Sequence, residues 1–149
     1  MEAYSDLYVA EISRTQGYVF NNIREALPGV DEKWFIEAYM RGHIRRMLDI
    51  ASPRFAAMPS LELIDWFIEN EQNGEYKKGG IWGGFLPLWV GQIYARYQWM
   101  YNTPSSDLIE IVPLPEMERI YPTLHQASYD VAVDKIHENV SRTTPMHSP

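Results

Sequence analysis

The residues best suited to chemistry form a group of cations near the middle of the chain. Arg41, His43, Arg45 and Arg46 lie within six residues of one another, and Arg54 follows after a turn. Guanidinium groups bind oxyanions through paired N–H donors, so one interpretation is a site for an anion such as phosphate. The alternative is that these charges solvate the second half of a helix, where cations also interact favourably with the helix dipole.

A second candidate is His125, which has Tyr121, Tyr129, Asp130 and Asp134 near it in the sequence. A histidine beside carboxylates can act as a general base or as a metal ligand. A metal site needs three or four ligands in matched geometry, and Asp130 is better explained as a helix cap. We therefore predict no metal site and expect no cofactor.

Sequence motifs for nucleophilic or nucleotide chemistry do not occur in this chain. There is no G-x-S-x-G, no Walker loop, no H-E-x-x-H and no dinucleotide fingerprint. We assign no catalytic residue, so an enzyme would require residues that only the fold brings together.

Residues 82–101 form an aromatic segment in which Arg96 is the only ionised side chain. Its candidate binding residues are Trp82, Trp89, Gln92, Arg96 and Trp99. Tryptophan, tyrosine and arginine dominate protein interfaces, which favours a binding groove. The alternative is a central core helix whose tyrosine hydroxyl groups are satisfied.

The composition excludes several classes of protein. The chain has 149 residues, a formal net charge of −7 and no cysteine. Without cysteine there are no disulfides and no thiolate zinc sites. The negative charge argues against nucleic-acid binding, which depends on Lys and Arg. The N-terminus lacks the pattern of a signal peptide and no apolar run approaches the length of a membrane span, so we expect a cytoplasmic protein that does not enter a membrane.

Apolar residues recur at helical spacing along most of the chain, whereas the alternation typical of strands is nearly absent. We predict helices over residues 6–27, 31–50, from 59–60 onward, 86–101, 105–111, 113–121 and 131–140. Their predicted N-caps include Asp31, Ser105 or Ser106, and Ser128 or Asp130. Residues 71–80 are expected to form a loop, because Asn-Gly and Gly-Gly interrupt helices.

These elements predict an all-α fold, a single-domain bundle of about five to seven helices with a central aromatic-rich helix. The domain is expected to cover residues 1–140. Residues 141–149 show no periodicity and are expected to form a disordered tail.

Four segments carry a resemblance to known proteins. They are WVGQIYARYQW, SSDLIEIVP, IYPTLH and DVAVDKI. This pattern resembles small uncharacterised bacterial proteins that are encoded beside candidate toxins in toxin–antitoxin-like cassettes. The resemblance covers roughly residues 34–137 and implies no catalytic residues.

Three functional hypotheses remain open. The first is a protein-interaction module, either an antitoxin or a regulatory partner of a co-encoded protein. Its contacts would be the exposed members of Trp82, Trp89, Arg96 and Trp99. Under this hypothesis, replacing Trp82 or Trp99 with Ala weakens a complex and leaves the fold intact.

The second hypothesis is a small helical enzyme or a binder of an anionic small molecule. Its site would combine Arg41, His43, Arg45 and His125, and it requires one pocket that holds these side chains together. The third hypothesis is a homo-oligomeric structural module that uses its aromatic residues for self-association.

Overall fold

The computed structural model describes residues 2–143, and within them nine helices follow one another along the chain. They are α1 (Asp6–Ala26), α2 (Glu32–Arg41), α3 (His43–Leu48), α4 (Pro53–Ala56), α5 (Ser60–Glu71), α6 (Leu86–Tyr101), α7 (Ser105–Ile111), α8 (Leu114–Leu124) and α9 (Tyr129–Thr143). The described residues contain no strand, and their only β-pairing is an isolated bridge between Val30 and Lys78. The predicted all-α bundle is confirmed.

Helices α1 and α6 form the centre of the bundle and cross at two glycines. A Cβ atom at Gly91 would lie 2.7 Å from the carbonyl oxygen of Gln16 and 2.8 Å from the Cα of Gly17. A Cβ atom at Gly17 would lie 2.9 Å from the carbonyl oxygen of Leu88. Glycine costs helix stability in isolation, but here it allows two backbones to approach more closely than any side chain permits.

Helix α6 is the predicted central aromatic helix, and its limits match the prediction. Most of its side chains are buried, including Trp89, Val90, Ile93, Tyr94 and Tyr97. It packs on α1 and also contacts α7, α8 and α9. A helix that is apolar on most of its circumference is expected in the interior of a bundle.

A second aromatic cluster lies between α1, α2 and α5. The ring of Tyr39 meets Phe20 edge-on at 5.9 Å and Phe67 edge-on at 5.4 Å, measured between ring centroids. Phe35 stacks on Tyr39 at 5.8 Å. All four rings are fully buried, and edge-to-face pairs add to the stabilisation that comes from buried area.

The continuous helix predicted over residues 31–50 is instead two helices that separate at Gly42. The carboxylate of Glu71, at the end of α5, accepts hydrogen bonds from the backbone N–H groups of His43 at 2.6 Å and Ile44 at 3.1 Å. A Cβ atom at Gly42 would collide with the same carboxylate. A side chain from a distant helix therefore starts α3, which local periodicity does not reveal.

Asp31 is the N-cap of α2, as predicted. Its Oδ1 accepts from the backbone N–H of Trp34 at 3.1 Å, and its own N–H donates to the carbonyl of Lys77 at 2.8 Å. Glu71, which we predicted as the first residue of the loop, is instead the last residue of α5, and the loop follows it. The loop is therefore fixed against the start of α2.

The N-cap of α7 is Pro104, so the prediction of Ser105 or Ser106 is wrong by one or two residues. The carboxylate of Asp49 accepts from the N–H of Ser105 at 3.0 Å and from its hydroxyl at 2.6 Å. The first turn of α7 is thus satisfied by a side chain from the end of α3.

Helix α9 is longer than the prediction of residues 131–140. Ser128 precedes it, and its hydroxyl oxygen accepts from the N–H of Val131 at 3.3 Å. The helix includes residues 141–143, which we expected in the tail. The rest of the expected tail, residues 144–149, lies outside the described residues.

None of the described helices combines the length and the apolar character that a bilayer-spanning helix requires.

Replacing Gly91 with Ala should destabilise the protein, although Gly→Ala inside a helix is ordinarily stabilising. The new methyl group would force α1 and α6 apart, and overpacking of this kind costs about 1–3 kcal/mol. Urea unfolding monitored by circular dichroism measures the difference. Gly83→Ala is the control, because a Cβ atom there meets nothing within 4 Å. A Gly91→Ala variant at least as stable as the wild type would show that the helices do not cross at this residue.

Candidate functional site

Trp82 is buried and anchors the loop that precedes α6. Its backbone N–H donates to Oε1 of Glu32 at 2.7 Å, its indole N–H donates to Glu118, and its carbonyl accepts from Nη2 of Arg24 at 3.0 Å. Replacing it would remove an internal anchor. The expectation that a Trp82→Ala variant keeps its fold intact is therefore not supported by this geometry.

The carboxylate that holds Trp82 is itself fully buried and paired. Glu32 accepts from Nε and Nη2 of Arg24, at 2.9 and 3.0 Å, in a two-pronged ion pair. The backbone N–H of Glu32 also donates to the carbonyl of Gly80 at 3.2 Å. Charge-assisted, bidentate bonds are the strongest class of side-chain hydrogen bond, so this end of the loop is held rigidly.

Glu118, which accepts the hydrogen bond from the indole N–H of Trp82, is partly exposed at the surface. Glu118 also forms an ion pair with Lys33, whose Nζ lies 3.0 Å from Oε1. The hydrogen bonds from Lys33 and Trp82 hold the pKa of Glu118 below its usual value. This carboxylate therefore stays ionised and keeps accepting from the indole N–H group.

Two apolar side chains flank this anchor and point to solvent. Ile81 is 69% exposed and Phe85 is 76% exposed. We call residues 80–85, with these two side chains, the Trp82 loop. It is an apolar projection on a fixed base. The sequence pattern predicted Trp82 as a contact residue, whereas in the structure the exposed side chains are Ile81 and Phe85.

The remaining tryptophans of the aromatic segment are occupied within the fold. Trp89 is buried and packs edge-on against Tyr121 at 5.3 Å. Trp99 is half-buried, and its indole N–H donates to the carbonyl of Tyr4 at 2.8 Å. Trp99 therefore fastens the start of the chain onto α6.

Gln92 and Arg96, which we expected to share a face of α6, are both partly buried. Nη1 of Arg96 lies 3.3 Å from Oδ1 of Asp130, and its guanidinium lies over the ring of Tyr129 at 5.3 Å. Arg96 therefore links α6 to the first turn of α9.

The cationic group splits into an interior and an exterior part. Arg45 is fully buried. Its guanidinium donates to Oε1 of Gln16, to Oε1 of Gln98 at 3.3 Å and to Oδ1 of Asp49 at 3.3 Å. All of its partners are internal, so Arg45 has no donor directed at a ligand from solvent. It also does not solvate the helix surface, which was the alternative interpretation.

Arg41, His43, Arg46 and Arg54 lie at the surface. Arg41 pairs with Glu110 of α7 at 2.5 Å. Nη2 of Arg46 lies 3.4 Å from Nδ1 of His43.

The rings beside His43 complete this surface. The imidazole stacks on Trp66 at 6.2 Å, and the guanidinium of Arg54 lies 5.5 Å from the centre of the same indole. His43 and Arg54 thus share one aromatic contact, while Arg45 lies in the interior.

His125 lies elsewhere, at the end of α8. Its Nδ1 donates to the carbonyl of Tyr121 at 2.8 Å, and its ring stacks on Tyr121 at 4.6 Å. Among the described residues, no contact joins it to Arg41, His43 or Arg45. Arg45 is buried and His125 is exposed, so the described residues give no direct support to the pocket that the second hypothesis requires.

Sequence reasoning missed a cluster between α6 and α9. The hydroxyl of Tyr97 lies 2.7 Å from Nδ1 of His137, and the hydroxyl of Tyr101 donates to Oδ1 of Asp134 at 2.6 Å. His137 stacks on Tyr101 at 3.7 Å. Tyr97 and Tyr101 lie one helical turn apart, and this spacing was the signal available in the sequence.

Both tyrosines resist ionisation. The hydrogen bond to Asp134 raises the pKa of Tyr101 to about 12, whereas burial raises the pKa of Tyr97 to about 12. The two tyrosine hydroxyl groups therefore stay protonated across the physiological range, and their contacts with His137 and Asp134 link α6 to α9.

A cleft of about 700 Å³ lies between α8 and the second half of α9. Its apolar lining is Ile111, Val112, Pro113, Ile120, Leu124, Ile136 and Val140. Its charged lining is Glu116, Arg119, Lys135, Glu138 and Arg142. We call it the α8–α9 cleft, and no residue in it was predicted as a binding residue.

Within residues 2–143, no three His, Asp or Glu side chains are grouped so that they could hold a metal ion. Comparisons of this chain with protein-family models, curated proteins and solved structures found no match.

Replacing Asp134 with Asn should return the pKa of Tyr101 from about 12 towards its usual value of 10, because the anionic acceptor is lost. Tyr97 should still titrate near 12, because its shift comes from burial. A pKa raised in the folded state adds stability that is complete below pH 10 and disappears as pH rises through 12. The variant should therefore lose less stability over that interval.

Ultraviolet absorbance of tyrosinate, recorded against pH beside circular dichroism, measures these changes. Asp130→Asn is the matched control, because Asp130 pairs with Arg96 rather than with Tyr101. If both variants titrate like the wild type, Asp134 does not control the ionisation of Tyr101.

Proposed function

We propose that this chain is a protein-interaction module that docks through the Trp82 loop. The observation that supports this function is the exposure of Ile81 and Phe85, at 69% and 76%, on either side of an anchored tryptophan. Solvent-exposed apolar side chains are common when they stand alone. Two of them on one short loop form a surface that gains free energy when a partner covers it.

The anchoring of the loop supports the same proposal. Trp82 holds the loop by three hydrogen bonds, to Glu32, Glu118 and Arg24. A segment already fixed in its binding conformation loses little conformational entropy when it binds. A rigid base with two apolar side chains is therefore well suited to enter a pocket on another protein.

The charge of the chain indicates what surrounds that pocket. A net charge of −7 favours a partner with a basic surface, through long-range attraction and faster association. We propose a partner with an apolar pocket bordered by Lys and Arg. In keeping with the resemblance to proteins of toxin–antitoxin-like cassettes, we propose a co-encoded toxin or a regulated protein as that partner.

Replacing Phe85 or Ile81 with Ala should weaken the complex while the fold remains intact, because neither side chain is buried. A central apolar contact at an interface contributes about 2 kcal/mol or more, which corresponds to roughly thirtyfold in Kd. The partner is first identified by purifying the tagged chain from its own host, with mass spectrometry of the bound protein. Binding of each variant to that purified partner is then measured by calorimetry.

Leu7→Ala is the matched control, because Leu7 is 81% exposed but lies at the start of α1. Its effect should stay within about 0.5 kcal/mol, as expected of a surface substitution. Equal weakening by Leu7→Ala and Phe85→Ala would contradict docking through the loop. If the purified chain sediments as a dimer, and the Phe85→Ala variant sediments as a monomer, the partner of the loop is a second copy of this chain rather than a different protein.

A further inference from the structure

The α8–α9 cleft has the form of a ligand site and is distinct from the Trp82 loop. Its volume of about 700 Å³ lies within the range of roughly 300–1,000 Å³ that small-molecule sites occupy. Such sites combine an apolar lining with a few polar groups that orient the ligand. Val112, Ile120 and Ile136 supply the apolar floor.

The two walls of the cleft, formed by α8 and α9, differ in net charge. On α8, Arg119 pairs with Glu116 through two hydrogen bonds, one of them at 3.1 Å, and this pair is neutral. On α9, Lys135 and Arg142 are exposed and form no ion pair within the described part of the chain. The α9 wall therefore carries two cations that are available to an anion.

The spacing of these cations allows them to act together. Lys135 and Arg142 are seven residues apart, so they lie on the same face of α9, about 10.5 Å apart along the helix axis. Both side chains are long and flexible enough to meet at one group between them. Glu138 is the carboxylate on the same wall, and it leaves α9 with one positive charge in excess at the cleft.

We propose that the α8–α9 cleft binds an amphipathic organic anion, a carboxylate attached to an apolar chain. The apolar chain lies on Val112, Ile120 and Ile136, and the carboxylate accepts hydrogen bonds from Lys135 and Arg142. A neutral apolar molecule would gain no attraction from the two cations, which would stay hydrated. An organic cation would be repelled by them.

This site differs from the anion site expected from the sequence. That expectation used Arg41, His43, Arg45 and His125, none of which lines the cleft. The inference is also independent of the proposed protein partner, because none of its residues belongs to the Trp82 loop.

Isothermal titration of the full chain with dodecanoate, below the concentration at which it forms micelles, tests the proposal. Saturable binding of one molecule per chain is expected. Dodecanol, with the same apolar chain and no charge, should bind about tenfold more weakly. No saturable binding of dodecanoate, or equal affinity for dodecanol, would overturn the proposal.

Two variants assign the binding to the cleft. Lys135→Gln combined with Arg142→Gln should weaken dodecanoate binding about tenfold, which corresponds to about 1.4 kcal/mol. Thr123→Trp, at an exposed position in the cleft, should block the space and abolish binding. Both changes lie at the surface, so the fold is retained.

The matched control is Arg14→Gln combined with Arg46→Gln, which removes two exposed cations elsewhere and changes the net charge equally. It should bind dodecanoate like the wild type. If this control weakens binding as much as the cleft variant does, the attraction is a general charge effect and the assignment to the cleft is wrong. Binding that survives Thr123→Trp leads to the same conclusion.

Discussion

The arrangement of the helices depends on the burial of one charge, the guanidinium of Arg45. An ion transferred from water to a protein interior loses several kcal/mol of solvation, which is recovered only when its donors are satisfied. Arg45 satisfies them with Gln16 of α1, Gln98 of α6 and Asp49 at the end of α3. Three helices must therefore hold their relative positions for this charge to remain inside.

The partners of Arg45 also form hydrogen bonds with other parts of the bundle. The amide nitrogen of Gln16 donates to the carbonyl of Gly91 at 2.7 Å, at the place where α1 and α6 cross. The amide nitrogen of Gln98 donates to the carbonyl of Asp49 at 3.0 Å, and the Asp49 carboxylate caps α7 through Ser105. A buried polar network in which every member has a partner stabilises one packing arrangement, and a partly satisfied one would not.

The surfaces that remain for binding lie around this fixed centre. The Trp82 loop is the last part of the connection between α5 and α6, and its base is held by the buried carboxylate of Glu32. The α8–α9 cleft lies where α9, after packing on α6, leaves α8 uncovered along one side. Both features place apolar surface at the edge of a rigid bundle, where a partner or a ligand can cover it without disturbing the core.

The sequence predicted the parts of this structure that depend on local pattern. Helical periodicity and proline and asparagine boundaries gave α6 and α7 their correct limits, and Asp31 its role as a cap. The break at Gly42 was missed because the group that causes it, Glu71, lies about 30 residues further along the chain. The spacing of apolar residues within one helix carries no information about a contact with a distant segment.

The candidate site shows the same limit. The tryptophans of the aromatic segment are largely internal anchors, whereas the exposed apolar side chains near its start are Ile81 and Phe85. Both interpretations of Arg45, as an anion-binding group and as a charge that solvates the helix, place its guanidinium within reach of solvent. Its burial follows from two glutamines, Gln16 and Gln98, that are distant in sequence and unremarkable in type.

Urea unfolding of Arg45→Met beside Arg46→Met measures how strongly the bundle depends on the buried Arg45 network. Arg46 is the adjacent, exposed residue, so the two variants differ in burial and not in chemistry. We expect Arg45→Met to lose about 3–5 kcal/mol of stability, because Gln16, Gln98 and Asp49 lose their partner. Arg46→Met should change the stability by no more than about 0.5 kcal/mol. If both variants unfold at the same urea concentration, the bundle does not depend on the buried guanidinium.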